Sequence, residues 1–165
     1  MKKYLLNPRL VIGVTILVTM TLAALLAPWI APFSPSNLDV TLRLSPPSST
    51  HLLGVDSNGS DVLTALLYGA RTSLFIGFMT VFLSVFLGVS IGAISGYAGG
   101  WLDMILMRIV DILMSFPGIL LALTLVSVLG PNLWSIIFAI SATGWTSAAR
   151  IARGQVLSIK ERDHV

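Results

Sequence analysis

Long apolar stretches, separated by shorter polar segments, dominate the pattern of this chain. The stretches cover Leu10–Ile30, Ser73–Gly96, about Leu102 to Leu129, and Leu133–Ala149. A helix rises about 1.5 Å per residue, so stretches of this length approach or exceed the roughly 30 Å hydrocarbon core of a bilayer. The pattern predicts an all-α membrane protein with about four transmembrane helices.

The first apolar stretch is compatible with a membrane anchor or with a cleaved signal peptide. A signal peptide has an apolar region of about 7–15 residues followed by a small-residue cleavage site. Leu10–Ile30 is longer than that, and Pro28 and Pro32 crowd the cleavage candidates Ala27 and Ala31. A retained anchor is therefore the favoured interpretation.

Composition agrees with a membrane protein and limits the other classes. Of the 165 residues, 55% are hydrophobic and only 10% are charged, whereas a soluble domain carries about 25% charged residues. The net charge is +3, but the basic residues sit at the ends of the apolar stretches without interleaved aromatics, so membrane lipid is the expected surrounding and no nucleic-acid partner is predicted. The absence of cysteine excludes disulfides and Cys-ligated metals, and neither a metal nor a cofactor is predicted.

The basic residues also orient the predicted spans. Lys and Arg accumulate on the cytoplasmic side of membrane proteins. With both termini inside, only Arg43 and Arg71 of the 10 basic residues lie outside. The residues on the cytoplasmic side are then Lys2, Lys3, Arg9, Arg108, Arg150, Arg153, Lys160 and Arg162.

This orientation divides the chain into three parts. Residues 1–32 form a cytoplasmic tail and the first transmembrane helix, and residues 33–72 form an extracytoplasmic loop. The rest, 73–165, holds spans at about 73–96, 102–129 and 133–149 and a cytoplasmic end at 150–165.

The extracytoplasmic loop contains a second helical pattern. Apolar residues between Val62 and Ala70 recur at helical spacing, which predicts a short amphipathic helix at the membrane surface. The segment Asp56–Asp61 is acidic enough to suggest a calcium loop, but the glycine and the final glutamate of such a loop are misplaced or missing. A helix-capping turn is favoured, with Asn58, Ser60 or Asp61 as the cap. His51 is interpreted as structural or exposed.

Small residues in the second span predict close helix packing. Gly88, Gly92 and Gly96 are spaced by four residues, which allows a neighbouring helix to approach. Glycine is also common in membrane helices generally, so both interpretations stay open.

The third span holds the residues of greatest functional interest. Arg108 and Asp111 lie three residues apart on one helical face. Ionisable groups within a span face protein or water, so the pair either lines a translocation path or forms an internal ion pair that fixes the rotation of the helix. Pro117, directly after Phe116, predicts a kink in the same span.

Two common catalytic motifs are absent from the sequence. It contains no Gly-x-x-x-x-Gly-Lys-Ser/Thr phosphate loop and no His-Glu-x-x-His. With two histidines and no cysteine, pairs of nucleophile and base are scarce. No catalytic residue and no enzymatic activity are predicted.

Several separated strings resemble the permease domain of bacterial peptide ABC importers. Asn7-Pro8 and the first span resemble the N-terminal segment of the C-type subunit of dipeptide and oligopeptide permeases. The other strings are His51–Asp56, Gly59 with Asp61–Leu63, Leu67–Leu74, Gly96-Tyr97 with Gly99–Asp103, Met107–Asp111 with Phe116-Pro117, Ala149-Arg150, Arg153–Ser158 and Lys160–Arg162. The chain is therefore similar to the N-terminal portion of such a subunit.

The resemblance implies a function and a set of partners. Such a subunit forms half of a translocation path for peptides in the inner membrane, as a heterodimer with a second permease subunit. Two ABC ATPase subunits hydrolyse ATP, and an extracytoplasmic binding protein delivers the substrate. Alternatives are a permease for nickel or another small solute, and a small membrane protein that acts through helix packing without transport.

The resemblance also implies where contact with the ATPase begins. In this family a cytoplasmic Glu-Ala-Ala…Gly loop couples the permease to the ATPase, and we expect this chain to be truncated before that loop. Only the start of the coupling segment is then present. Its residues are Arg153, Gln155, Ser158, Lys160, Glu161 and Arg162.

Overall fold

The computed structural model describes residues 8–162, apart from the side chain of Arg162, and α-helices dominate it. The predicted all-α class is confirmed, because the described residues contain no β-element beyond a single bridge between Val55 and Asp61. Lys2, Lys3 and the end of the predicted cytoplasmic segment, 163–165, lie outside the described residues. The helices are α1 Pro8–Ile30, α2 Val62–Ala98, α3 Gly100–Ser115, α4 Gly118–Leu129 and α5 Leu133–Arg162, with a 3-10 turn at Val40–Leu42.

Two of these helices, α1 and α2, are long and apolar enough to cross a membrane, and α3 with α4 forms a third span if the bent pair is counted as one. Among the described residues, α5 does not meet the same criteria. Serines, threonines and glycine dilute its apolar part, and Arg150 follows directly. The predicted span at 133–149 therefore remains a prediction, whereas the membrane character of the fold is confirmed.

Helix α2 corrects the prediction of a separate amphipathic helix. It runs without a break for 37 residues from Val62 to Ala98, so the amphipathic pattern forms its first turns. No proline interrupts this stretch, and Arg71 and Thr72 both continue the helix. At about 1.5 Å per residue the helix is longer than the bilayer core is thick, so its amphipathic start extends beyond the core when the apolar part spans it.

The helix is interrupted at Phe116-Pro117, where a kink was predicted. Helices α3 and α4 meet at an angle of 91°. The proline ring disfavours helical geometry in the preceding residue, and Phe116 is accordingly extended, with φ −86° and ψ 140°. The predicted kink is therefore a complete interruption between two helices.

A much tighter connection joins α2 to α3. Gly99 and Gly100 both have positive φ, at 65° and 57°, a region that other residues rarely adopt. The chain therefore reverses within a glycine pair, which brings the end of α2 next to the first turn of α3.

Small residues on α2 let α5 approach closely. Ser84, Gly88, Gly92 and Gly96 are all buried, and their four-residue spacing places them on one face. A Cβ added at Gly88 would lie 2.5 Å from the Trp145 carbonyl oxygen, and one at Gly92 would overlap the carbonyl oxygen of Ala149. The predicted close packing of these glycines is confirmed, and α5 is the helix that uses it.

The chain divides into two compact units within α2, at Phe75/Ile76. The first contains α1, the loop and the start of α2. The second contains the rest of α2 with α3, α4 and α5.

Candidate functional site: a charged groove between α3 and α5

The second unit contains a groove rich in charged side chains. Its volume is about 520 Å³. Helical spacing places the contributing residues of α3 on one face, opposite two arginines one turn apart on α5. The lining consists of Gly100, Asp103, Met104, Met107, Arg108 and Asp111 from α3, and Arg150 and Arg153 from α5.

A bidentate ion pair joins the two helices at one end of the groove. The Nε and Nη2 atoms of Arg153 donate to the two carboxylate oxygens of Asp103, at 2.5 and 2.6 Å. The Ser95 hydroxyl of α2 donates to the same carboxylate. The side chains of Arg153 and Asp103 are 32% and 16% exposed, so this pair is partly shielded from water and ties three helices together.

Sequence reasoning missed the role of Asp103. The residue appeared only inside a string used for the resemblance, because its partner is 50 positions away. One local signal was available: an acidic side chain in the first turn of a helix is stabilised by the helix dipole. That signal explains its position on α3 but does not identify Arg153.

A second ion pair crosses the groove further along α3. Nη2 of Arg150 donates to Oδ1 of Asp111 at 2.7 Å, and both side chains are more than half exposed. Of the two alternatives for Arg108 and Asp111, a direct ion pair between them is not present among the described residues, because Asp111 pairs with Arg150. The partner comes from α5, and a contact between two helices cannot be read from spacing along one of them.

Arg108 lines the groove without an acidic partner among the described residues. With three arginines and two aspartates, the lining carries a net charge of 3 − 2 = +1. Phe116 and Pro117 were predicted as candidates together with Arg108 and Asp111, but they lie at the bend and do not line the groove. The structure thus brings Arg108 and Asp111 to one site and leaves the other two apart.

The predicted coupling residues occupy the end of α5. Gln155, Ser158 and Glu161 are exposed, and Arg162 is the last residue of the helix. Lys160 donates to the Tyr97 carbonyl oxygen at 3.1 Å. This oxygen lies at the carboxyl end of α2, where the helix dipole favours a cation. Because Arg153 is bound to Asp103, its guanidinium is engaged inside the protein.

The first unit contains a separate polar cluster at the start of α2. Asp61 caps the helix by accepting from the Thr64 amide at 2.8 Å and the Thr64 hydroxyl at 2.9 Å. Nδ1 of His51 lies 3.0 Å from the other Asp61 oxygen, and the ring stacks on Phe33 at 4.7 Å. The interpretations of Asp61 as a cap and His51 as structural are confirmed.

Hydrogen bonds lower the pKa of two carboxyl groups near the start of α2. Burial alone would raise the pKa of the Asp61 carboxyl, but the hydrogen bonds from Thr64 and His51 together hold it below its ordinary value. Asp56 accepts from the amides of Ser60 and Asn58, which also lowers its pKa. Among residues 8–162, no group of three His, Cys, Asp or Glu side chains is placed to hold a metal ion.

Comparison with known proteins finds similarity to two families of transport component. Residues 88–165, which contain the groove, match the family described as the inner membrane component of binding-protein-dependent transport systems. Residues 1–47 match the N-terminal transmembrane domain of oligopeptide transport permease C. Both matches are therefore to components of transport permeases.

Individual permeases match along almost the whole chain. The dipeptide transport system permease protein DppC of Bacillus subtilis is 40% identical over 153 residues, covering 93% of this chain and 48% of that permease. DppC of Haemophilus influenzae is 39% identical, covering 96% of this chain and 56% of its own length. The oligopeptide transport system permease protein OppC of Bacillus subtilis is 39% identical, covering 100% and 54%. The chain spans about half the length of the curated permeases it matches.

Proposed function

We propose that this chain forms part of the permease subunit of an ABC importer for dipeptides or oligopeptides. The observation that carries the proposal is the identity of 36–40% to permeases named for dipeptides or oligopeptides, over 93–100% of the chain. Two partner ATPase subunits would supply the energy, and an extracytoplasmic binding protein would deliver the peptide. A second permease subunit would complete the path as a heterodimer.

The proposed orientation in the inner membrane is that of a multi-pass protein with both termini inside and four spans. It is supported by the positions of the basic residues. It is also supported by contacts within the second unit, where Arg153 and Lys160 of α5 bond to Asp103 and Tyr97. These contacts support a location of the end of α2, the start of α3 and the end of α5 on the same side of the membrane.

In this proposal the groove transmits movement between the helices. Gln155, Ser158, Glu161 and Arg162 extend from a continuous helix toward the ATPase side, together with Lys160. The Asp103–Arg153 pair ties that helix to α3, so a displacement of the end of α5 also moves α3. The break at Phe116-Pro117 then redirects the chain within the membrane, next to the proposed path.

Asp111 has two proposed roles, as a path-lining group or as a positioning residue. Its contact with Arg150 favours positioning, since the two side chains join α3 to α5. Its exposure of 56% leaves it accessible from the groove. Asp111→Asn separates the roles: reduced uptake with normal assembly supports path lining, whereas lost assembly supports positioning.

A chimeric permease tests the proposed function. Residues 1–165 replace the matching half of DppC in a Bacillus subtilis strain that lacks the native protein. We expect the chimera to restore uptake of a labelled dipeptide, because the two sequences are 40% identical over this region. Asp111→Asn is examined in the same chimera.

The control is nickel uptake in the same cells. Restored nickel transport without dipeptide transport would contradict the proposed substrate class. A chimera that reaches the membrane, binds its partner subunits and transports neither solute would contradict the proposed function as a whole.

A further inference from the structure

We propose that the charged groove binds the phosphate group of an anionic phospholipid, with Arg108 as its main ligand. The proposal rests on the proposed orientation only in assigning the lipid to the cytoplasmic leaflet. Binding itself follows from the charges, the volume and the surroundings of the groove.

The three arginines of the groove differ in how many of their N–H groups already donate hydrogen bonds to aspartate. Arg153 donates to both oxygens of Asp103. Arg150 donates one hydrogen bond to Asp111 through Nη2, which leaves most of its five N–H donors available. Arg108 has no acidic partner among the described residues and is exposed. Arg108 and Arg150 are thus the available donors, and an arginine fork matches the oxygens of a phosphate.

The groove has room for such a group. Its volume of about 520 Å³ is many times the roughly 30 Å³ that a water molecule occupies in the liquid. A phosphodiester with its glycerol fits together with ordered water. The two aspartates are both paired with arginines, so they do not present unpaired negative charge to the phosphate.

The surroundings favour a lipid over free phosphate. Met104 and Met107 line the groove itself. Trp101 and Met104 are each 72% exposed, and Ile105 and Ile109 on α3 are 46% and 45% exposed. Trp is the residue typical of the headgroup level, and exposed isoleucines offer a surface for acyl chains. Basic pockets between membrane helices on the cytoplasmic side are known to take anionic headgroups.

Native mass spectrometry of the purified 165-residue chain in detergent tests this inference. The probes are phosphatidylglycerol, phosphatidylcholine and inorganic phosphate. We expect phosphatidylglycerol to bind at least about fivefold more tightly than phosphatidylcholine, the factor that one basic contact provides. Arg108→Gln should abolish this preference, and Arg108→Lys should retain most of it because the charge remains.

Arg71→Gln is the matched control, since Arg71 is an exposed arginine outside the groove. Circular dichroism and thermal unfolding check that each variant folds. Equal loss of binding in Arg71→Gln, or no preference for phosphatidylglycerol in the parent chain, would overturn the proposal. Binding of inorganic phosphate without lipid preference would overturn the lipid source. None of these outcomes depends on transport, so they are distinct from failure of the chimera.

Discussion

Asp103 shows how one carboxylate can position three helices. It accepts from Ser95 of α2 and from both donating nitrogens of Arg153 on α5, while belonging to α3. Its negative charge also lies in the first turn of its own helix, where the dipole favours it. The residue is therefore stabilised by its own element and by two neighbours.

Removing this charge should destabilise the second unit. In Asp103→Asn, the partly buried guanidinium of Arg153 loses its counter-charge. The free energy of unfolding is expected to fall by about 1–3 kcal/mol, between the values for exposed and for buried ion pairs. Asp111→Asn should cost only about 0–1 kcal/mol, because its pair with Arg150 is exposed. Thermal unfolding of both variants in detergent measures the difference, and equal costs would contradict the shielding of Asp103.

Residue contacts were the least predictable part of the site. The sequence identified Arg108 and Asp111 as ionisable groups within a span, and the structure places both in the groove. It did not identify Arg150 or Asp103 as ion-pair partners, because these pairs join residues 39 and 50 positions apart. Hydropathy and helical spacing describe one element at a time and contain no information about its neighbour.

At the scale of elements, the buried face of α2 is defined by small residues. Its members are Ser84, Gly88, Gly92 and Gly96. The backbone of α5 fits against this face, with Ala149 and Ala152 opposite Gly92. Van der Waals contact between closely packed backbones is a main source of helix association in membranes.

A side chain at Gly92 should separate the two helices. Gly92→Leu would overlap the Ala149 carbonyl, and overpacking of this kind costs about 1–3 kcal/mol. Gly77→Leu is the matched control on the same helix, since nothing lies within 4 Å of its added Cβ. The control should be neutral or slightly stabilising, because leucine favours a helix over glycine by up to about 1 kcal/mol. A similar loss of thermal stability in both variants would show that α5 does not pack on this face.

Element boundaries were predicted with uneven success. The start of α5 at Leu133, after the Gly130-Pro131-Asn132 turn, agrees with the sequence because Asn132 caps the Ser135 amide at 2.9 Å. The break at Phe116-Pro117 was located correctly, but its 91° angle depends on packing of the two halves. The continuity of α2 through Arg71 and Thr72 was missed because a change of polarity was interpreted as a change of structure.

At the scale of the whole molecule, the distribution of lysine and arginine along the chain predicts its orientation in the membrane. The loop at 33–61 contains Arg43 as its only lysine or arginine, whereas the last part of α5 contains Arg150, Arg153, Lys160 and Arg162. The positive-inside rule therefore predicts the loop outside and the end of α5 inside.

Cysteine labelling tests this orientation, and no native cysteine of this chain adds background labelling because the sequence contains none. Cysteines introduced at Ser36 or Ser49, both exposed, should react with a membrane-impermeant maleimide in intact cells. A cysteine at Ser158, exposed near the end of α5, should react only after permeabilisation. The reverse pattern would invert the predicted topology.

The repeat on α2 has a consequence for movement. Its small residues recur every four positions, so a slide of α5 along α2 by about 6 Å would meet a similar surface again. Intermediate positions would move the Trp145 and Ala149 carbonyls away from the glycines that now face them. The four-residue spacing therefore favours discrete positions of α5 along α2. The Asp103–Arg153 pair stabilises one of these positions, since a shift of α5 by four residues would pull the two charges apart.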